Sequence, residues 1–64
     1  MQNKKKITVV LADDHMIIRD GLRALLERQP DMEVVAEADN GRTALKHVKE
    51  LSPDIVIMDI GMRE

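Results

Sequence analysis

The sequence contains no cysteine and no phenylalanine, tyrosine or tryptophan, and it has only two prolines and three glycines. Without cysteine there are no disulfides, and no Cys/His cluster of zinc spacing takes their place. Without aromatic rings, a core has to be built from Ile, Leu, Val, Ala and Met alone. No apolar run approaches the roughly 18 residues that a membrane span requires. The N-terminus is basic but lacks the apolar segment of a secretory leader, so a cytoplasmic location is expected. Positive charge is not in excess either: ten Lys and Arg face twelve Asp and Glu, for a net charge of −2. That balance argues against nucleic-acid binding by this segment. The one basic run, Lys4-Lys5-Lys6, reads as a solubilising guard before a strand.

At 64 residues the chain is one small domain or a part of a larger one. A chain of this size buries only about 60% of its unfolded surface. Below roughly 70–80 residues a stable fold usually needs a staple. The missing staple points to an incomplete unit or to a partner.

What is present is a regular alternation. Ile7 to Ala12 is nearly continuous and apolar, as in a strand covered on both faces, and it ends in Asp13 and Asp14. From His15 to Gln29, Ile18, Leu22, Leu25 and Leu26 recur at helical spacing among good helix formers. Gly21 costs this helix about 1 kcal/mol against Ala, a cost that close packing would justify. Pro30 stops the helix, because the residue before a proline avoids helical geometry. Met32 to Ala38 is a second strand with Val34, Ala36 and Ala38 on one side and Glu33 and Glu37 on the other, which suits a sheet edge. Asp39-Asn40-Gly41 is a turn, with Asn40 placed to cap the next helix. Ala44, Leu45, Val48 and Leu51 make its stripe, and Ser52-Pro53 ends it. Ile55 to Met58 is a third buried strand, closing on Asp59. The expected strands are thus about 7–12, 33–38 and 54–58, and the expected helices about 15–29 and 41–51.

The order β-α-β-α-β implies an α/β fold with a parallel sheet and right-handed crossovers. Crossovers on one face would wind the sheet in one direction. Helices on opposite faces would reverse the winding and give spatial order 2-1-3. The second arrangement sets Asp13, Asp14 and Asp59 on neighbouring strands about 4.8 Å apart, at the strand ends where α/β sheets bind their ligands.

Three carboxylates held close together call for protonation or a cation. A compact, oxygen-only set suits Mg²⁺, and one carboxylate could then serve as a nucleophile toward phosphorus. Plainer readings stand beside this one. Asp14 could cap the first helix, and Asp59 could form a turn before Gly61. His15 reads as a surface or capping residue, His47 as a solvated one, and the methionines as scattered core fillers.

Taken together, Val9-Val10-Leu11-Ala12-Asp13-Asp14-His15, Arg19-Asp20-Gly21-Leu22-Arg23, Glu37-Ala38-Asp39-Asn40-Gly41 and Pro53-Asp54-Ile55-Val56-Ile57-Met58-Asp59 resemble the receiver domain of bacterial two-component response regulators. The flavour is that of the subgroup whose receiver precedes a LuxR-type helix-turn-helix output domain. The resemblance runs from residue 7 to about 62. It implies a flavodoxin-like fold of sheet order 2-1-3-4-5, of which this chain would be the N-terminal half, and so favours order 2-1-3 here. It implies that Asp59 accepts phosphate from a sensor histidine kinase in phosphorelay signalling. Asp13 and Asp14 would position Mg²⁺, with Asp14 the more direct ligand, and the Gly61 carbonyl would also reach the metal. The protein would then be a signalling domain, not an enzyme, and DNA would be contacted only through an output domain.

Some of the family pattern is not met. A receiver is about twice this length, and the hydroxyl residue after a fourth strand and the lysine after a fifth are not in this sequence. Arg63 stands where the resemblance would put the proline of a Met-Pro pair. Poor phosphotransfer by these 64 residues is therefore expected. A rival reading without chemistry is a self-associating module that pairs through an open third-strand edge.

Overall fold

The computed structural model describes residues 6–59. Its elements are β1 (Ile7–Ala12), α1 (Met16–Glu27), β2 (Met32–Ala38), α2 (Gly41–Leu51) and β3 (Ile55–Met58). All strand pairing is parallel, in spatial order β2-β1-β3. The winding therefore reverses at β1, and of the two topologies left open by the pattern, 2-1-3 is the one adopted.

Alternation along β1 supplies both faces of the sheet. On one face Ala12 and Ala38 meet Ala44 of α2, forming a small all-alanine core. On the other, Leu11 and Ile57 lie beneath Ile18 and Leu22 of α1, lining a cavity of about 230 Å³. Val9, Val10 and Leu11 are the largest fully buried side chains. α2 can come close because its contact residue is only a methyl group. Lys6 is exposed, and Lys4 and Lys5 lie outside the described residues.

Most boundaries fall where the sequence puts them, and the departures have local causes. His15 is the N-cap of α1 rather than its first residue. The helix ends at Glu27, two residues before the expected position. Arg28 and Gln29 donate instead to Leu25 and Leu26 three residues back, the tightened last turn common where a helix approaches a proline. β2 begins at Met32 and β3 at Ile55, where their apolar runs begin and one residue from the approximate bounds of 33 and 54. α2 runs as expected, with the Asn40 side chain accepting from the Thr43 N–H at 2.8 Å. It ends on Ser52 in the left-handed region at φ 46°, where glycine is the usual occupant.

Three expectations about packing are corrected. β3, expected to be buried, lies at the sheet edge with Ile55, Val56 and Met58 exposed. Val9 pairs with Val34 but Val10 pairs with Ala36, so Val35 is an extra residue in β2. This bulge moves Val34 off the face shared by Ala36 and Ala38. Gly21 packs against no other element among the described residues: beyond its chain neighbours and the adjacent helix backbone, a Cβ placed there would meet no atom within 4 Å.

Two hydrogen-bond sets that the pattern did not reveal fix the frame. Asp54 opens β3 by accepting from the Thr8 N–H at 2.8 Å and from the Thr8 hydroxyl at 3.1 Å. Arg19 Nε and Arg23 Nη1 donate to the two Glu37 oxygens at 3.0 and 2.9 Å. The first set fastens β3 to β1, and the second fastens α1 to β2.

Candidate functional site

The strand register brings the acids together. Ala12 pairs with Met58, and the ladder continues one residue further. The Asp13 N–H donates to the Ala38 carbonyl at 3.0 Å and the Asp59 N–H to the Ala12 carbonyl at 3.1 Å. Asp13 therefore leaves the middle strand level with Asp59 leaving its neighbour, and Asp14 begins the turn into α1. Asp13 is buried, Asp59 half-buried and Asp14 exposed. Gly61, the fourth expected metal contact, lies outside the described residues.

His15 completes the cluster while keeping its expected place at the surface and at the α1 N-cap. Its Nδ1 lies 2.8 Å from Asp13 Oδ1, 3.0 Å from Asp14 Oδ1 and 3.8 Å from Asp59 Oδ2. One donor atom from each of Asp13, Asp14, His15 and Asp59 falls within 4.8 Å of the others. The turn expected between Asp59 and Gly61 lies outside the described residues. The plain reading of Asp14 as the α1 cap does not hold, since the N-cap is His15 and it makes no side-chain capping bond. Asp13 Oδ1 instead accepts from the His15 backbone N–H at 2.8 Å, closing a tight turn. The clue available in the sequence was position. A side chain one residue after an acidic pair, at a helix N-terminus, projects back over the strand ends.

These contacts set the electrostatics. The hydrogen bonds from the His15 backbone and ring, aided by the positive charges of His15 and Arg19, hold the Asp13 carboxyl below its ordinary value. His15 is raised in turn, first by its bond to Asp13, then by the charge of Asp14 and more weakly by Asp59. Arg19 also donates to the Asp13 carbonyl at 2.6 Å, tying the site to the Glu37 bridge. Arg19 and Glu37 were not singled out by the sequence reading. A second acidic residue next to the end of β2, and an arginine one helical turn after His15, were the signals. His47 sits half-buried on α2 and is not in the cluster.

The donor chemistry fits a divalent cation. Three carboxylates converge at one point, with one oxygen of each and a His15 ring nitrogen all within 4.8 Å of one another, and Mg²⁺ takes one or two such carboxylates with water as its remaining ligands. Among the described residues, no helix is long and apolar enough to cross a membrane.

Comparisons with known proteins bear on the same residues. The response regulator receiver domain family matches residues 9–64. The transcriptional regulatory protein LiaR of Bacillus subtilis is 50% identical over 56 residues, covering 88% of this chain and 26% of LiaR. The protein-glutamate methylesterase/protein-glutamine glutaminase 2 of Carboxydothermus hydrogenoformans is 49% identical over 59 residues, covering 92% of this chain and 17% of that protein. Among solved structures, the signal receiver domain of the response regulator NarL from Mycobacterium tuberculosis superposes with a TM-score of 0.90 at 37% identity. That match covers 92% of this chain and 48% of the NarL domain. The chain thus spans about a quarter or less of these two curated relatives, and about half of the solved receiver. From the match across residues 9–64 and the shared parallel fold, the chain belongs to the response regulator receiver domain family.

Proposed function

We propose that this chain is the phosphoacceptor segment of a two-component response regulator, with Asp59 receiving a phosphoryl group from a sensor histidine kinase. The observation that carries the reading is the convergence of Asp59 with Asp13 and Asp14 at one end of the sheet, in a chain of the receiver family. An Asp59 oxygen attacks the phosphorus of a phosphorylated imidazole. The Asp59 O–P bond forms as the P–N bond breaks, and the imidazole leaves with a proton from solvent. The product is an acyl phosphate. Asp13, Asp14 and Asp59, with the Gly61 carbonyl, would hold Mg²⁺, which when bound offsets negative charge on the carboxylates and on the incoming phosphoryl group. The burial of Asp13 and the turn through His15 keep the carboxylates at the strand ends.

The reading places the chain in the cytoplasm, in phosphorelay control of transcription, with DNA contacted by an output domain and not by this segment. It is supported by the similarity to transcriptional regulatory proteins. The alternative of a self-pairing module rests on the exposed β3 residues and gains no support from the relatives.

The test is an intact-mass spectrum after incubation with Mg²⁺ and a small phosphodonor, with Asp59→Asn in parallel. Slow, partial phosphorylation of the parent and none of the variant is expected. An adduct that survives Asp59→Asn would overturn the assignment.

A further inference from the structure

We propose that His15 is a metal-selecting ligand of the strand-end site, supplying a nitrogen donor to first-row transition-metal ions while Mg²⁺ is held through oxygen alone. The inference rests on reading the acidic cluster as the metal site of a receiver.

The placement of the ring is the starting observation. As the N-cap of α1, His15 sits where a short polar side chain would usually bond the helix backbone, yet it makes no such bond. Its ring is turned instead toward the strand ends, where Nδ1 is the atom that approaches all three carboxylates. The spacing suits one ion. With bonds of about 2.1 Å, adjacent ligands of an octahedral ion stand about 3 Å apart and opposite ones about 4 Å. The four donors here already lie within 4.8 Å of one another, so small side-chain adjustments would close the shell.

Mobility is distributed in the right sense for such adjustment. Asp13 is anchored by the His15 N–H and, through its carbonyl, by Arg19. The His15 side chain is 60% exposed and can move onto or off the ion without disturbing the core.

Donor chemistry then separates the metals. Imidazole is a good ligand for Co²⁺, Ni²⁺ and Zn²⁺, whereas Mg²⁺ takes oxygen and keeps its waters. Removing the ring should weaken the first group and leave Mg²⁺ nearly unaffected. The other imidazole, His47, lies outside the cluster and provides the internal control.

The experiment is calorimetric titration of the 64-residue chain with Co²⁺ and with Mg²⁺, alongside His15→Ala, His47→Ala and Asp59→Asn, each checked for helical content by circular dichroism. Loss of an outer-shell partner alone typically costs about 10–100-fold in metal affinity, so His15→Ala should lower Co²⁺ affinity by at least about tenfold. Mg²⁺ affinity should stay within about twofold in His15→Ala, and His47→Ala should change neither metal. Proton NMR of the Co²⁺-loaded parent gives a second readout that needs no variant at His15. One exchangeable ring N–H should show a large hyperfine shift, and it should persist in His47→Ala. Equal loss of both metals in His15→Ala, unchanged Co²⁺ affinity, or no shifted ring resonance would overturn the proposal. Asp59→Asn separates the two levels. Mg²⁺ binding that ignores Asp59 would defeat the receiver-site reading, while the dependence of Co²⁺ on His15 would still be measured directly.

Discussion

β1 and β3 look alike as sequence and differ as structure. Val9-Val10-Leu11-Ala12 and Ile55-Val56-Ile57-Met58 are both apolar runs closed by aspartate. Val9 to Ala12 are at most 1% exposed, whereas Ile55 and Val56 are 37% and Met58 48% exposed. The cause is the number of covered sides. β1 has a strand on either flank and a helix over each face, and β3 lies at the sheet edge. An apolar strand is therefore a statement of what a segment can bury, and its neighbours decide how much it does bury.

The largest expected effect breaks this comparison directly. Leu11→Ala removes a fully buried side chain and should cost about 2–5 kcal/mol, comparable to the whole stability of a small domain. Val56→Ala, a truncation smaller by one carbon on β3, should cost less than about 1 kcal/mol because the residue is already 37% exposed. Urea unfolding followed by circular dichroism measures both, and similar losses at the two sites would mean that β3 is as well covered as β1. Next, Asn40→Ala removes the α2 cap and should cost about 1 kcal/mol on the side of the sheet where packing relies on Ala44. Gly21→Ala, on the exposed surface of α1, should raise stability by about 0.5–1 kcal/mol. A loss there would mean that α1 lies closer to its surroundings than the open space around Gly21 indicates.

Acid and base should act on the β1 end of the site in opposite senses. Asp13 is lowered in the fold, so its contribution is present above the unfolded value of about 3.9 and is lost as pH falls through the lower folded value. His15 is raised, so its contribution is complete below about 6.5 and is lost as pH climbs through the higher folded value. Denaturation midpoints across pH should show both slopes. His15→Asn should flatten the neutral one and Asp13→Asn both, since each residue perturbs the other.

Much of the architecture was legible because it depends on local period and punctuation. The continuous apolar run of β1, the helical spacing of Ile18 and Leu22, the Asn40 cap and the Ser52-Pro53 stop each act within a few residues. The acids at the ends of β1 and β3 were legible for the same reason, since each closes its own strand. The extra residue at Val35 was not legible, because a bulge depends on the register with β1. Nor were the bridges from Arg19 and Arg23 to Glu37, whose partners are 18 and 14 residues apart and carry no mark of their pairing.

By itself the sequence determined the five elements, their parallel sense and the carboxylates that could meet, since side-chain periodicity and backbone chemistry are properties of short segments. Together with the receiver resemblance it also favoured the 2-1-3 order. Only the tertiary structure decided that the winding reverses at β1 and that β1 is sealed while β3 stands half open. It alone turned the ring of His15 into the acidic cluster. Those outcomes depend on which surfaces meet across the sheet, and contacts between distant segments are fixed only when the whole chain packs.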